Sequence, residues 1–256
     1  MSDGGWHRPG RGGAALYALA AAVVATVTTI FSRLQVARFR SRRKVAETLP
    51  PGAIIVISNH TSYADGVLLS LACKRMGRQL RLLATGGVFR APVLGGLLRR
   101  IGFIRVDRGT ARAAAAMAPA LEALAAGEAV GLYPEGRITR DPAHWPERAK
   151  TGAVRLALAS GAPIVPVAMA GSTDVLDRRH NVRRLLRNIV VRPKVRVKVG
   201  DPIDVRRLMN IGPTTEPTAD EVRLAADEVM GTLVRLLAAL RGEDAPATAG
   251  REVASA

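Results

Sequence analysis

A chain of 256 residues with a 48% apolar share is long enough to bury one sizeable core. Its 38 basic and 21 acidic residues leave a formal charge of +17, which suits an anionic partner, but only 4% of the residues are aromatic and no stacking pattern interleaves the arginines, which argues against nucleic acid. The single cysteine, Cys73, excludes an intramolecular disulfide and any cysteine-cluster metal site.

Residues 1–13 read as a disordered N-terminus. Ala14 to Phe31 then form an apolar run of 18 residues without a charged side chain, near the lower limit for a membrane-spanning helix. Much of it is alanine, with Thr26, Thr28 and Thr29 near one end, so its insertion energy is modest. It is expected to span a membrane or to lie embedded in one leaflet. A signal peptide is the rival reading. Against that, the basic run Arg38-Phe39-Arg40-Ser41-Arg42-Arg43-Lys44 follows with no small-residue cleavage pattern. Residues 14–44 are therefore expected to be a membrane anchor with a basic flank. Such a flank binds anionic headgroups at about 1 kcal/mol per basic residue and biases itself to the cytoplasmic side. The expected location is the cell membrane, with the following domain on its cytoplasmic face.

No repeat or long linker divides residues 45–241, which read as one domain. Strand-like runs at Ala53–Ser58, Arg81–Ala84, Phe103–Val106, Ala129–Tyr133, Ile164–Ala168 and Lys194–Val199 alternate with helix-like stretches at Gly66–Arg75, Ala111–Ala126, Thr151–Ser160 and Ala219–Leu240. That alternation predicts the α/β class: a central, mostly parallel or mixed sheet flanked by helices, preceded by the N-terminal anchoring helix. Gly127 and Gly161 stand where helices should end. Cys73 lies in a helical stretch, as a small buried hydrophobe. Residues 242–256 read as a disordered tail.

Within that frame, Ser58-Asn59-His60-Thr61-Ser62-Tyr63-Ala64-Asp65 follows the buried strand-like run directly. Open α/β sheets keep reactive groups just beyond the carboxyl ends of strands, where His60 falls. On one continuous helix Asp65 would sit roughly 140° away from His60. The two meet only if His60 lies in the turn and Asp65 in the first turn of a helix. The carboxylate would then fix the imidazole tautomer and leave the other nitrogen free to take a proton. The plainer alternative is that His60 caps a helix and Asp65 is a solvated first-turn acid. His7, His144 and His180 show no metal-ligand spacing, and neither a phosphate-binding Gly-rich loop nor a Gly-x-Ser-x-Gly turn is present.

Four blocks, Asn59 to Asp65, Gly102-Phe103-Ile104-Arg105-Val106-Asp107-Arg108-Gly109, Tyr133-Pro134-Glu135-Gly136 and Ala162-Pro163-Ile164-Val165-Pro166-Val167, resemble, in order, the glycerolipid acyltransferases typified by 1-acylglycerol-3-phosphate acyltransferases. The stretch from Tyr133 to Arg155 further resembles actinobacterial members. The resemblance implies that His60 is the general base, Asp65 its orienting group, Arg108 a phosphate-binding arginine, and Glu135 and Gly136 acceptor-binding residues. Pro166 matches the fourth block as a shaping residue.

Two departures stand out. Glu135-Gly136 is followed by Arg137-Ile138-Thr139-Arg140 where relatives continue with threonine and arginine, so Arg137 or Arg140 fills the basic slot. Thr85 stands where many relatives carry lysine. The expected reaction moves a fatty acyl group from acyl-CoA or an acyl carrier protein to lysophosphatidate, giving phosphatidate in phospholipid synthesis, with no cofactor and no metal. Another acceptor, such as glycerol 3-phosphate or a lyso-lipid, is an alternative, as is a non-catalytic protein that binds anionic lipid.

A thioester donor is already activated, so such chemistry needs a base, oxyanion donors and cations rather than a covalent nucleophile. Arg105, Arg108, Arg137 and Arg140 supply cations whose planar fork suits phosphate. Backbone N–H groups at the helix start after His60 are candidate oxyanion donors. Phe89 to Ile101 reads as an acyl groove, a bilayer contact or plain core. The acid-free segment from Arg183 to Lys198 carries seven basic residues and alternates at Val195-Arg196-Val197-Lys198-Val199. It reads as a strand with a solvated face, or as a basic rim that gathers anionic membrane lipid or an acidic acyl carrier protein.

Overall fold

The computed structural model describes residues 6–37, 49–106, 117–176 and 182–250. A long helix, α1 (Arg11–Phe31), leads into a short strand, β1 (Arg33–Ala37). Then come β2 (Ile54–Ser58), α2 (Asp65–Arg75) and β3 (Leu80–Thr85), with two short helices, α3 (Gly86–Phe89) and α4 (Leu94–Arg100). Next are β4 (Ile104–Val106), α5 (Ala118–Ala125), β5 (Ala129–Leu132), α6 (Gly152–Ser160) and β6 (Ile164–Ala170). The chain continues through α7 (Ser172–Val175), α8 (Val182–Val191), β7 (Lys194–Val199), α9 (Val205–Leu208) and α10 (Ala219–Arg241).

The seven strands form one sheet in the order β1-β7-β6-β2-β5-β3-β4. Every pairing is parallel except β6 with β7. The α/β class with a mixed, mostly parallel sheet flanked by helices is therefore what the chain adopts. β2 is covered on both faces, as parallel strands require. Ile55 and Ile57 join the cluster under α5, α6 and α10, while Ile54 and Val56 join the cluster that contains Leu68, Leu69 and Ala72 of α2. Alternation at period two thus sends successive isoleucines and valines into two separate cores.

The parallel register decides where chemistry can occur. Ile57 of β2 pairs with Leu132 of β5, and Leu82 of β3 pairs with Gly131. The carboxyl ends of these three strands therefore open on one edge of the sheet, and the turns after them share that edge. β7 alternates buried Val195 and Val197 with exposed Lys194 and Arg196, the solvated strand face expected of it. Gly127, at φ +77°, follows α5, and Gly161, at φ +69°, caps α6, the left-handed positions where glycine has no Cβ to clash.

Three features differ from the sequence reading. α1 was expected to span a membrane or to lie embedded in one leaflet, and no helix among the described residues is long and apolar enough to cross one. Instead α1 packs against α2, α4, α8 and β1. Its buried Tyr17 hydroxyl accepts from the Leu80 N–H at 3.3 Å.

Second, β1 lies within the expected basic flank, yet pairs along its whole length with β7. Arg38, Arg40, Arg42, Arg43 and Lys44 lie outside the described residues.

Third, ordered contacts extend past both ends of the expected domain. The Trp6 indole N–H donates to the Gly102 carbonyl at 3.1 Å, and the Gly250 N–H donates to the Pro146 carbonyl at 2.7 Å. Ala245 and Ala249 pack on the core beside α10. One tryptophan and two alanines suffice to dock these segments, too few to stand out from a polar composition.

Candidate active site

The turn after β2 is held from four directions. Asn59 continues the ladder with its side chain: Nδ2 donates to the Met169 carbonyl at 2.9 Å, and Oδ1 accepts from the Met169 N–H at 2.8 Å. The His60 N–H donates to Glu135 Oε1 at 3.3 Å, and the His60 carbonyl accepts from the Thr139 N–H at 2.8 Å. The Thr61 and Ser172 hydroxyls lie 3.0 Å apart. The Ser62 hydroxyl donates to the Leu176 carbonyl. His60 is thus fixed by its backbone before its ring is considered.

Asp65 opens α2 and is fully buried. Its Oδ2 gathers three donors: His60 Nδ1 at 3.0 Å and the backbone N–H groups of Thr61 at 2.6 Å and Ser62 at 2.7 Å. A carboxylate only accepts, so Nδ1 carries the proton and Nε2 is left as the basic nitrogen. The sequence placement of His60 in the turn and Asp65 in the first helical turn is the arrangement found, rather than a cap and a solvated acid. The expectation that N–H groups at this helix start would serve an oxyanion is corrected in part. The N–H groups of Thr61 and Ser62 are taken by Asp65, that of Ala64 by the Ser62 hydroxyl, and that of Asp65 by the Ser62 carbonyl.

Tyr133, at the end of β5, stacks on His60 with ring centroids 4.0 Å apart and planes at 13°. This packing positions the imidazole. Its phenol is buried, which pushes its pKa well up, with the Asp65 charge adding to the effect.

Glu135 is buried and uses both oxygens on backbone, accepting from His60 through Oε1 and from the Glu147 N–H through Oε2 at 3.0 Å. Burial pushes its carboxyl up to about 8, opposed by the hydrogen bonds from Glu147 and His60. Glu135 therefore clamps the His60 turn to the 135–147 loop. The acid that pairs with Arg137 is Glu147, which sequence reasoning missed: its Oε2 accepts from Arg137 Nε at 3.0 Å and Nη2 at 2.7 Å. Glu147 is buried while Arg137 remains 47% exposed, so the guanidinium is aimed without being used up.

Gly136 sits at φ +71°, and a Cβ there would lie 3.2 Å from Lys150 Nζ. The turn therefore needs glycine and carries a lysine over it, a cation the sequence pattern did not single out. Arg140 is exposed and outside the cavity wall, so of the two candidates for the basic slot Arg137 is the one beside His60. Arg108 lies outside the described residues.

His60 borders a cavity of about 630 Å³. Its wall comes from Tyr17, Ala20 and Ala21 of α1, Val67 and Leu71 of α2, Leu82 to Thr85 of β3, and Leu97, Leu98, Ile101 and Phe103. Tyr133 and Arg137 also line it. Part of the Phe89 to Ile101 segment thus lines this space, while Phe89, Leu98 and Ile101 are also core beside Tyr17. Thr85, one of the two departures, is in the wall. Cys73 is buried, with its thiol pushed up to about 12 by desolvation, and takes no part.

Known proteins resemble this chain in sequence and in fold. An uncharacterised protein of Mycobacterium leprae is 32% identical over 160 residues, 58% of this chain and 41% of its own length. The chain therefore spans about two-fifths of that relative. A 1-acyl-sn-glycerol-3-phosphate acyltransferase of Borreliella burgdorferi is 29% identical over 133 residues, half of each chain. The crystal structure of the 1-acyl-sn-glycerophosphate acyltransferase PlsC from Thermotoga maritima superposes with a TM-score of 0.58 over 90% of this chain and 83% of that one, at 18% identity, a likeness of fold. The Acyltransferase family model matches residues 40–170, just over half of the chain and the part that holds His60, Asp65, Glu135 and Arg137, and the chain belongs to that family.

Proposed function

We propose that the protein transfers a fatty acyl group from acyl-CoA or an acyl carrier protein to the hydroxyl of lysophosphatidate, giving phosphatidate. The observation that carries this reading is a histidine whose Nδ1 is committed to a buried carboxylate at 3.0 Å and which lines a largely apolar cavity. In the proposed reaction Nε2 takes the proton of the acceptor hydroxyl as its oxygen attacks the thioester carbonyl. The carbon–sulfur bond of the tetrahedral intermediate then breaks, and the proton passes from the imidazolium to the leaving thiolate. Asp65 stabilises that imidazolium and Tyr133 keeps its plane. The apolar cavity suits the acyl chain, and Arg137, held by Glu147, suits the acceptor phosphate. Arg108 is proposed as a further phosphate contact, by resemblance alone. No cofactor enters the scheme.

The Borreliella relative, named for this acylation, supports the acceptor. Two observations favour a second reading, another acceptor such as glycerol 3-phosphate or a lyso-lipid: Thr85 and Arg137 both border the cavity, so both departures alter the acceptor's surroundings. The proposed location is the inner face of the cell membrane, with α1 lying in one leaflet. Ala15, Ala18, Leu19, Ala22, Val23 and Ile30 make an exposed stripe along α1 that bears no charge.

The test is acyl transfer by detergent-purified protein from a labelled acyl thioester, with acyl-CoA and acyl carrier protein each tried. Lysophosphatidate should be converted, and folded His60→Ala should lose about 10²-fold or more in rate. Conversion of glycerol 3-phosphate alone selects the second reading. Equal rates from native and His60→Ala chains overturn the mechanism, and no transfer by either to any acceptor leaves an anionic-lipid-binding protein.

A further inference from the structure

We propose that the outward face of α8 docks the protein on an anionic bilayer. This rests on the reading of the protein as membrane-associated and names an element of the sheet domain that makes the contact. A surface helix of a globular protein normally turns its apolar side inward. Over the part of α8 whose side chains are described, Leu186 to Val191, the aliphatic residues point the other way. The buried one among them is Asn188, whose Nδ2 donates to the carbonyls of Asp174 at 2.8 Å and Val175 at 3.2 Å. Leu186, Ile189, Val190 and Val191 face outward, Leu186 at 60% and Val190 at 83% exposure. Single exposed aliphatic residues are ordinary, but four on one ten-residue helix are a patch.

The surroundings say what covers it. Arg187 on the helix and Lys194 and Arg196 on the adjoining β7 are exposed, and residues 182–200 contain no acid. An apolar centre flanked by these three cations, against the single described acid Asp174, matches acyl chains below anionic headgroups. The patch also neighbours the uncharged stripe of α1, because α1 and α8 pack together. An acidic carrier protein would answer the cations but leave the aliphatic face and the α1 stripe in water, so the bilayer is the better fit. α8 is further tied to the catalytic turn. It holds the carbonyls of Asp174 and Val175, and the next carbonyl, of Leu176, accepts from Ser62.

The test is flotation of the full chain with vesicles of equal parts phosphatidylglycerol and phosphatidylcholine, and with phosphatidylcholine alone. Two variants are compared, Leu186→Glu/Val190→Glu and Arg187→Ala/Lys194→Ala/Arg196→Ala. The first should weaken partition to the anionic vesicles about tenfold or more. The second should weaken it roughly a hundredfold and remove the preference over phosphatidylcholine. Transfer to a detergent-dispersed acceptor should be unchanged in both. If the glutamate pair fails to fold, the alanine triple decides alone. Partition equal to that of the native chain overturns the proposal. So does unchanged partition with transfer lost only from acyl carrier protein, which would give the surface to the carrier. Flotation does not depend on turnover. An inactive protein that floats through α8 therefore defeats the acyl-transfer reading alone, and an active one that floats without α8 defeats this proposal alone.

Discussion

Glu135 holds two backbone N–H donors while buried, and the burial dominates its proton affinity. Its carboxyl is pushed up to about 8 in the folded chain, against about 4.3 for an unperturbed glutamate. Between those values the folded chain keeps a proton that the unfolded chain has released. The resulting stabilisation is complete below the lower value and is lost as pH rises through the upper one. Unfolding in urea across that window should show stability falling with pH by on the order of a few kcal/mol. Glu135→Gln, which cannot titrate, should flatten that slope, and equal slopes in both chains would refute the assignment. His60 and Asp65 were legible because the chain places them five residues apart across a strand-to-helix turn. Glu135 was legible as an acid at a strand end, but its role was not, because its partner is a backbone N–H 75 residues upstream. The roles of Asn59 and Tyr133 escaped for the same reason, since the parallel register brings them to Met169 and His60, whereas Glu147 meets Arg137 within one irregular loop that no local pattern marks.

Among the elements, α10 adds to its buried core face a stabilising device at its exposed start. Its N-cap Thr218 accepts from the Glu221 N–H at 3.3 Å, and Glu221 Oε2 accepts from the Thr218 N–H at 2.7 Å, a reciprocal capping box. Thr218→Ala should lower stability by about 1 kcal/mol, read by thermal or urea unfolding, with acyl transfer unchanged. An unaltered midpoint would mean the box contributes nothing. β2, β5 and β6 were readable because strands buried on both faces are continuous apolar runs, and β7 because its two faces differ. β1 was not, since only Leu34, Val36 and Ala37 are apolar in it and it follows a helix directly. Its strand state comes from pairing with β7, a tertiary cause that no local pattern carries. Of the helix expected at Ala111–Ala126, α5 covers Ala118–Ala125, while residues 111–116 lie outside the described residues.

At the scale of the molecule, α1 has two faces with different tasks. One carries Tyr17, Ala20 and Ala21 into the cavity wall, and the other presents the uncharged stripe. Composition revealed the apolar character of the run but not this division, because alanine is accepted equally by a core, a cavity wall and a lipid surface. The division is testable. A helix that served only as an anchor would leave the stability of the domain in detergent indifferent to its inward residues. A docked helix would not. Tyr17 is 4% exposed, packs with Phe89, Leu98 and Ile101, and has its hydroxyl on the Leu80 N–H. Tyr17→Ala removes that packing and leaves a buried N–H of β3 without its acceptor, so it should destabilise the detergent-solubilised chain by about 3 kcal/mol. Leu19→Ala, on the exposed stripe of the same helix, should cost less than about 0.5 kcal/mol in the same assay. Similar small losses in both variants would show that α1 stands apart from the domain. A large loss confined to Tyr17→Ala would make the helix a structural part of the cavity wall, with its uncharged stripe turned away from the cavity.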